Sequence, residues 1–193
     1  RPPAHNLNFG TVWHHALERY HYDDFTESAI LDYLRDEALV SKEDNRAHLM
    51  AMFIVYCKQH QKLKGWDEFV SAEEEFLEPI LHPVTGEEHE YKQGGKIDGL
   101  VRIDEKYYLF ENKTAANPTG DYCRRINLDR QVHQYGHYLG VKRGIHIEGV
   151  LYNVAPKNLR WTRRNKGGHE AFGDYVRRLV VNYGERQFLR FYV

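Results

Sequence analysis

The chain has 193 residues, 41% of them hydrophobic and 28% charged, enough to bury the core of one ordinary domain and too apolar for a disordered segment. It carries 27 Lys and Arg against 28 Asp and Glu, a net charge of −1, which on its own argues against a nucleic-acid partner. No apolar run reaches the ~20 residues of a membrane helix, the start is not signal-like, and two cysteines give neither a disulfide framework nor Cys-x-x-Cys metal spacing.

Helical spacing dominates the first third. Asn8 to Tyr22 reads as a helix with Asn8 as N-cap. Thr26 to Val40 reads as a second, with Ile30, Leu31, Leu34 and Ala38 on one face. Glu43 to Lys64 reads as a third, ended by Gly65. The period then changes. Phe69 to Leu81 alternates as a strand, with Pro79 marking an edge or strand end. Pro83, Thr85 and Gly86 supply a turn, and His89 to Gln93 a short strand. Lys96 to Ile103 and Tyr107 to Lys113 read as two strands about a tight turn at Asp104-Glu105. Leu128 to Leu139 is a predicted helix, Ile145 to Val154 a strand, Glu170 to Tyr183 a helix and Phe188 to Val193 a strand. The order defines an α/β chain with a mixed sheet flanked by helices. It is expected to be one domain over 1–193, with a helical part over 1–64 and a sheet-containing core over 65–193. The chain opens at Arg1 without a Met and stops inside a strand-like run, so further segments are expected beyond both ends.

Along this chain the charge divides. Residues 1–113 hold 13 basic and 22 acidic residues, a net of −9, and residues 114–193 hold 14 and 6, a net of +8. The near-neutral total therefore conceals a basic part suited to a polyanion. Its densest stretch contains Lys157, Arg160, Arg163, Arg164 and Lys166 around Trp161. Such a stretch suits phosphate contact with base stacking, or is a solvated loop. Arg124, Arg125 and Arg130 lie just before and within the Leu128–Leu139 helix and offer the same two readings.

The two strands around Asp104-Glu105 carry the chemistry. With that turn, paired residue numbers sum to 209, so Asp98 falls opposite Glu111 and Lys113 shares their face. Two facing carboxylates repel, and Mg²⁺ or Mn²⁺, which favour hard oxygen ligands, would relieve the repulsion. A neighbouring Lys can orient water or stabilise a negative transition state. The competing reading is an exposed cross-strand ion network. The apolar run Tyr107-Tyr108-Leu109-Phe110 before Glu111, and Gly94-Gly95 before the other strand, favour a site. Gln131 and Tyr135 are i,i+4 neighbours on one helix face, as are His14 and Glu18; taken alone, the first pair reads as an ordinary polar–aromatic pair and His14 as a partly buried core histidine, its alternative being a helical metal pair with Glu18.

Gly95-Lys96-Ile97-Asp98, twelve residues, then Glu111-Asn112-Lys113-Thr114 resembles the core motif of the PD-(D/E)XK nucleases. The RecB-like exonuclease branch is the nearer likeness. Gly10-Thr11-Val12-Trp13-His14 resembles its N-terminal Gly-x-x-x-His helix, Glu73-Glu74-Glu75-Phe76 its glutamate-bearing strand, and Gln131-Val132-His133-Gln134-Tyr135 its Gln-x-x-x-Tyr helix. These motifs follow the branch's order over residues 10–135, and the later basic part fits phage-type relatives. The resemblance implies a restriction-endonuclease-like core and metal-dependent hydrolysis of DNA, by an exonuclease on single-stranded or duplex ends, in recombination or repair.

It also implies that Asp98, Glu111 and the Asn112 carbonyl hold one or two Mg²⁺ or Mn²⁺ ions, with His14 adding a contact. Lys113 is then catalytic, and Gln131 and Tyr135 hold the site and the strand. Glu111 stands where many RecB-like relatives have Asp. No cysteine follows Cys123, so no iron–sulfur cluster is expected in this chain. Free thiols point to a reducing compartment, and the resemblance implies the cytoplasm of a bacterium or phage-infected cell. A binding module that no longer cleaves, or a partner-dependent subunit of a recombination complex, are the alternatives.

Overall fold

The computed structural model describes residues 9–23, 25–36, 42–59, 68–116, 118, 120–126, 129–163, 170–186 and 189–192. The proposed N-cap Asn8, the ends of the second and third helices beyond Asp36 and Gln59, and Leu128, Arg164, Lys166, Phe188 and Val193 lie outside them.

Three helices come first: α1 (Phe9–His21), α2 (Glu27–Arg35) and α3 (Glu43–Gln59). Val12, Trp13, Ala16, Leu17 and Tyr20 recur at helical spacing on α1 and are buried. Thr26 caps α2, its hydroxyl accepting from the Ala29 N–H at 3.2 Å. Strands β1 (Glu68–Ala72), β2 (Glu75–Leu81), β3 (Glu88–Lys96), β4 (Gly99–Ile103) and β5 (Lys106–Ala115) follow, then α4 (Gly120–Ile126), α5 (Arg130–Arg143), β6 (Ile147–Pro156), α6 (Phe172–Gly184) and β7 (Leu189–Tyr192). Asp129 caps α5 by accepting from the Gln131 N–H, and Gly144 ends it at φ 64°.

The five-stranded sheet has order β1-β4-β5-β6-β7, antiparallel except for the parallel pair β5–β6, which the α4–α5 crossover connects. This is the mixed, helix-flanked α/β architecture expected. One face packs on α5 through Leu100, Leu109, Val132, Leu139, Val150 and Tyr152. The helices α1, α2, α3 and α6 form a separate core that takes in Ala155 of β6. Burial on both sides explains the unbroken apolar run Val150–Tyr152 in the sequence.

Two predicted strands are each two elements. Phe69–Leu81 breaks at Glu73, whose φ is 51°, so that β1 joins the main sheet and β2 pairs with β3 in a two-stranded ribbon. The predicted strand Lys96–Ile103 also breaks, at Ile97-Asp98: β3 belongs to the ribbon and β4 to the sheet. Helix α4 had no expectation in the sequence. The turn is as expected, with Asp104 and Glu105 at φ 49° and 63°, the left-handed pair that a type I′ turn requires.

The ribbon is fastened to α5 by Glu74. Its carboxylate accepts from Arg143 Nη2 at 2.7 Å, Lys142 Nζ at 3.1 Å and the Ser71 hydroxyl at 2.7 Å. Burial alone would raise its pKa, but these donors hold it down at about 2.

Candidate active site

The β4–β5 ladder keeps the expected register, from Ile103↔Lys106 to Gly99↔Phe110. It stops one step short of Asp98. Asp98 sits in the bend between ribbon and sheet, so it is not a ladder partner of Glu111. Its carboxylate turns to two other donors: Oδ2 accepts from the Asn112 backbone N–H at 2.7 Å, and Oδ1 is 3.2 Å from His14 Nδ1 on α1. The bend, β5 and α1 thus meet on one carboxylate.

Glu111 and Lys113 alternate on β5 and point to the same face, joined by a 2.5 Å hydrogen bond from Lys113 Nζ to Glu111 Oε1. Glu111 is only 8% exposed. Burial first, and the Asp98 charge second, push its pKa up to about 7 despite Lys113. Burial opposes the charged forms of His14 and Lys113, yet both pKa values are raised: His14 by Asp98, with Glu111 and Glu73 adding, and Lys113 by Glu111 and then Asp98. Two carboxylates thus sit in one partly buried site, where each raises the pKa of the groups beside it. Lys113 remains a cation, suited to orienting and stabilising anionic oxygen more than to accepting a proton.

Asn112 points to the opposite face, where its Oδ1 accepts from Asn153 Nδ2 of β6 at 2.7 Å, both side chains being buried. This pair fixes the peptide that holds Asp98. Asn153 was not found from sequence, because its partner lies across a parallel ladder.

A cleft of about 430 Å³ opens beside Asp98, lined by Gly10, Thr11, His14, His15, Glu73 and Lys96. Lys96 is ion-paired with Glu73 there. The run Glu73-Glu74-Glu75 therefore divides: Glu73 borders the cleft, Glu74 clamps α5 and Glu75 is exposed.

Gln131 Nε2 donates to the Tyr135 hydroxyl at 2.7 Å, as their spacing predicts. The Tyr135 ring packs against Phe76 and over Gly95, three residues before Asp98. Asp129, the cap of α5, lies close enough to act on the Lys113 charge.

The basic residues are spread more widely. Lys157 follows β6, its N–H bonded to the Ala115 carbonyl and its Nζ 5.3 Å from the Phe9 ring, which puts it at the strand ends beside the start of α1. Arg124 is paired with Asp121 on α4; Arg125, Arg130 and Arg160 are exposed. Arg163 bonds Glu43 Oε2 at 2.6 Å and the Glu170 carbonyl. The Trp161 ring packs on Tyr183 with Arg186 over it. Buried His48 bonds the Trp161 carbonyl and the Tyr183 hydroxyl, each at 2.8 Å, anchoring this loop to α3 and α6.

Among the described residues no group of three or more His, Cys, Asp or Glu side chains is placed to hold one metal ion. The candidate donors are two carboxylates and a main-chain carbonyl. This oxygen set, in surroundings that drive a proton onto Glu111, fits a hard cation that keeps several of its waters. Among the described residues no helix is long and apolar enough to cross a membrane. Cys57 is a free, buried thiol whose pKa burial raises to about 12.

No family model matches the chain, and no curated protein matches it. One solved structure to which it is similar is described as "Crystal structure of SSO0001"; the two share 18% identity, the match covers 95% of this chain and 77% of that chain, and the TM-score is 0.35. A likeness at that level carries no argument about function.

Proposed function

We propose that the chain is a metal-dependent DNA nuclease with a restriction-endonuclease-like core, acting as a RecB-like exonuclease on DNA ends, single strands favoured. One observation carries this reading: the convergence of Asp98, Glu111, Lys113, the Asn112 peptide and His14 on a partly buried centre beside an open cleft. An ordinary surface ion network would be solvated, whereas this one is partly buried, with Glu111 8% exposed.

Asp98, Glu111 and the Asn112 carbonyl would hold Mg²⁺ or Mn²⁺. When bound, such an ion supplies a Lewis acid for the phosphate and lowers the pKa of attacking water. The chain's own residues do the rest. The Asn112 N–H and His14 fix the Asp98 carboxylate. Lys113, kept cationic by Glu111, faces the phosphoryl oxygens and orients water. Tyr135, wedged on Gly95, keeps the Asp98 bend in place. Lys157 at the rim, with Arg124, Arg125, Arg130 and Arg160, offers phosphate contacts to the strand.

A gel assay of linear and circular single-stranded DNA with Mg²⁺ or Mn²⁺ tests the reading. Linear DNA is expected to shorten from its ends while circular DNA stays intact. Cleavage of circles would replace the exonuclease by an endonuclease. Salt-sensitive DNA binding without any cleavage would make the chain a binding module.

A further inference from the structure

The β2–β3 ribbon has one face covered near its base, at Phe76 and Gly95, and is bare beyond it. Phe76 and Gly95 share the inner face, against Tyr135 and Tyr138 of α5. Leu77 and Pro79 share the outer face, and beyond a register shift the exposed Leu81 and Val84 follow toward the tip. Every residue from 81 to 92 is exposed. Among the described residues nine large apolar side chains are exposed, and four of them belong to this ribbon: Leu77 (64%), Leu81 (53%), Val84 (87%) and Tyr91 (62%). Concentration on one element distinguishes this from scattered surface hydrophobics. A two-stranded ribbon is marginal alone, and among the described residues α5 is the helix it packs on, through Phe76.

The charge selects the class of occupant. Residues 75–96 hold five Glu against Lys92 and Lys96, a net of −3 inside a molecule whose basic residues lie elsewhere. A nucleic-acid backbone would be repelled, whereas a cationic protein surface would be drawn in. Sheets cover an apolar face with a helix, and the face of two strands is about one helix wide.

We propose that the outer face of the β2–β3 ribbon docks an amphipathic helix of a partner protein, its apolar stripe flanked by Lys and Arg. The apolar stripe settles on Leu77, Leu81 and Val84, and its cations meet the ribbon's glutamates. Because β3 runs through Ile97 into Asp98, the partner would grip the element that delivers that carboxylate. The proposal does not depend on the nuclease reading, and its test needs neither metal nor DNA.

The probe is a synthetic helical peptide with leucines on one face and lysines on the other, added to the isotope-labelled chain and followed by backbone amide NMR. Amide shifts confined to β2, β3 and their turn are expected, with affinity at least tenfold lower in Leu77→Asp and in Val84→Asp. Both variants add negative charge, so pure charge attraction predicts the opposite change. Shifts elsewhere, or shifts that survive both variants, would overturn the proposal. So would single-stranded DNA shifting the same amides, or ribbon amides that broaden with protein concentration alone, which would assign the face to a second copy.

Discussion

Asp98→Ala and Lys113→Ala are each expected to lower DNA cleavage by at least about 10²–10³-fold, the scale at which a preorganised charge at a reacting centre acts. The fold should survive both. Asp98→Ala leaves the Asn112 N–H without its acceptor, a cost of about 1–3 kcal/mol. It also removes the charge that, after burial, most raises the Glu111 pKa, so Glu111 ionises more easily beside Lys113. These effects oppose each other, and thermal stability at neutral pH is expected to move far less than activity. Mn²⁺ should raise the melting temperature of the unaltered chain by binding the native state, and leave Asp98→Ala unmoved. Cleavage at the original rate in either variant would remove these residues from the mechanism.

Gly95→Ala is expected to destabilise the chain by about 1–3 kcal/mol, whereas Gly94→Ala changes little. A Cβ on Gly95 would lie 2.5 Å from ring atoms of both Phe76 and Tyr135. Neither ring can simply withdraw: they pack edge-on against each other, and Phe76 stacks on Tyr138. A Cβ on Gly94 crowds Leu77 Cδ1 at 3.3 Å, on a side chain open to solvent, and makes ordinary contact with the Phe76 carbonyl oxygen at 3.7 Å. Denaturant titration of the two variants checks the contrast. Because Gly95 is three residues from Asp98, its variant should also lose activity in the fraction that remains folded. Equal stability of the two variants would mean that Tyr135 is not wedged there.

The local features of the site were legible in the sequence because they depend on spacing. The Asp104-Glu105 turn fixes the β4–β5 register, the helical period joins Gln131 to Tyr135, and alternation on β5 puts Glu111 and Lys113 on one face. What escaped depends on partners far along the chain. Alternation continues unbroken through Lys96-Ile97-Asp98-Gly99-Leu100, so nothing local announces that β3 leaves one sheet and β4 enters another. That break turns Asp98 from a ladder partner of Glu111 into a residue held by Asn112 and His14. In the same way three consecutive glutamates gave no sign of which one meets the cleft. Glu74 is occupied by Lys142 and Arg143, and the backbone at Glu73 turns that residue toward Lys96. The basic stretch was visible as composition, but the pairing of Arg163 with Glu43 and the packing of Trp161 on Tyr183 were not. Lys157 emerges beside the strand ends, at the start of α1.

The central claim is that Asp98 and Glu111 share a divalent cation. A crystal soaked in Mn²⁺ and measured at an anomalous wavelength tests it most directly. The account predicts an anomalous peak between the two carboxylates, in reach of the Asn112 carbonyl and absent in Asp98→Ala. A peak elsewhere, with none between Asp98 and Glu111, would contradict it.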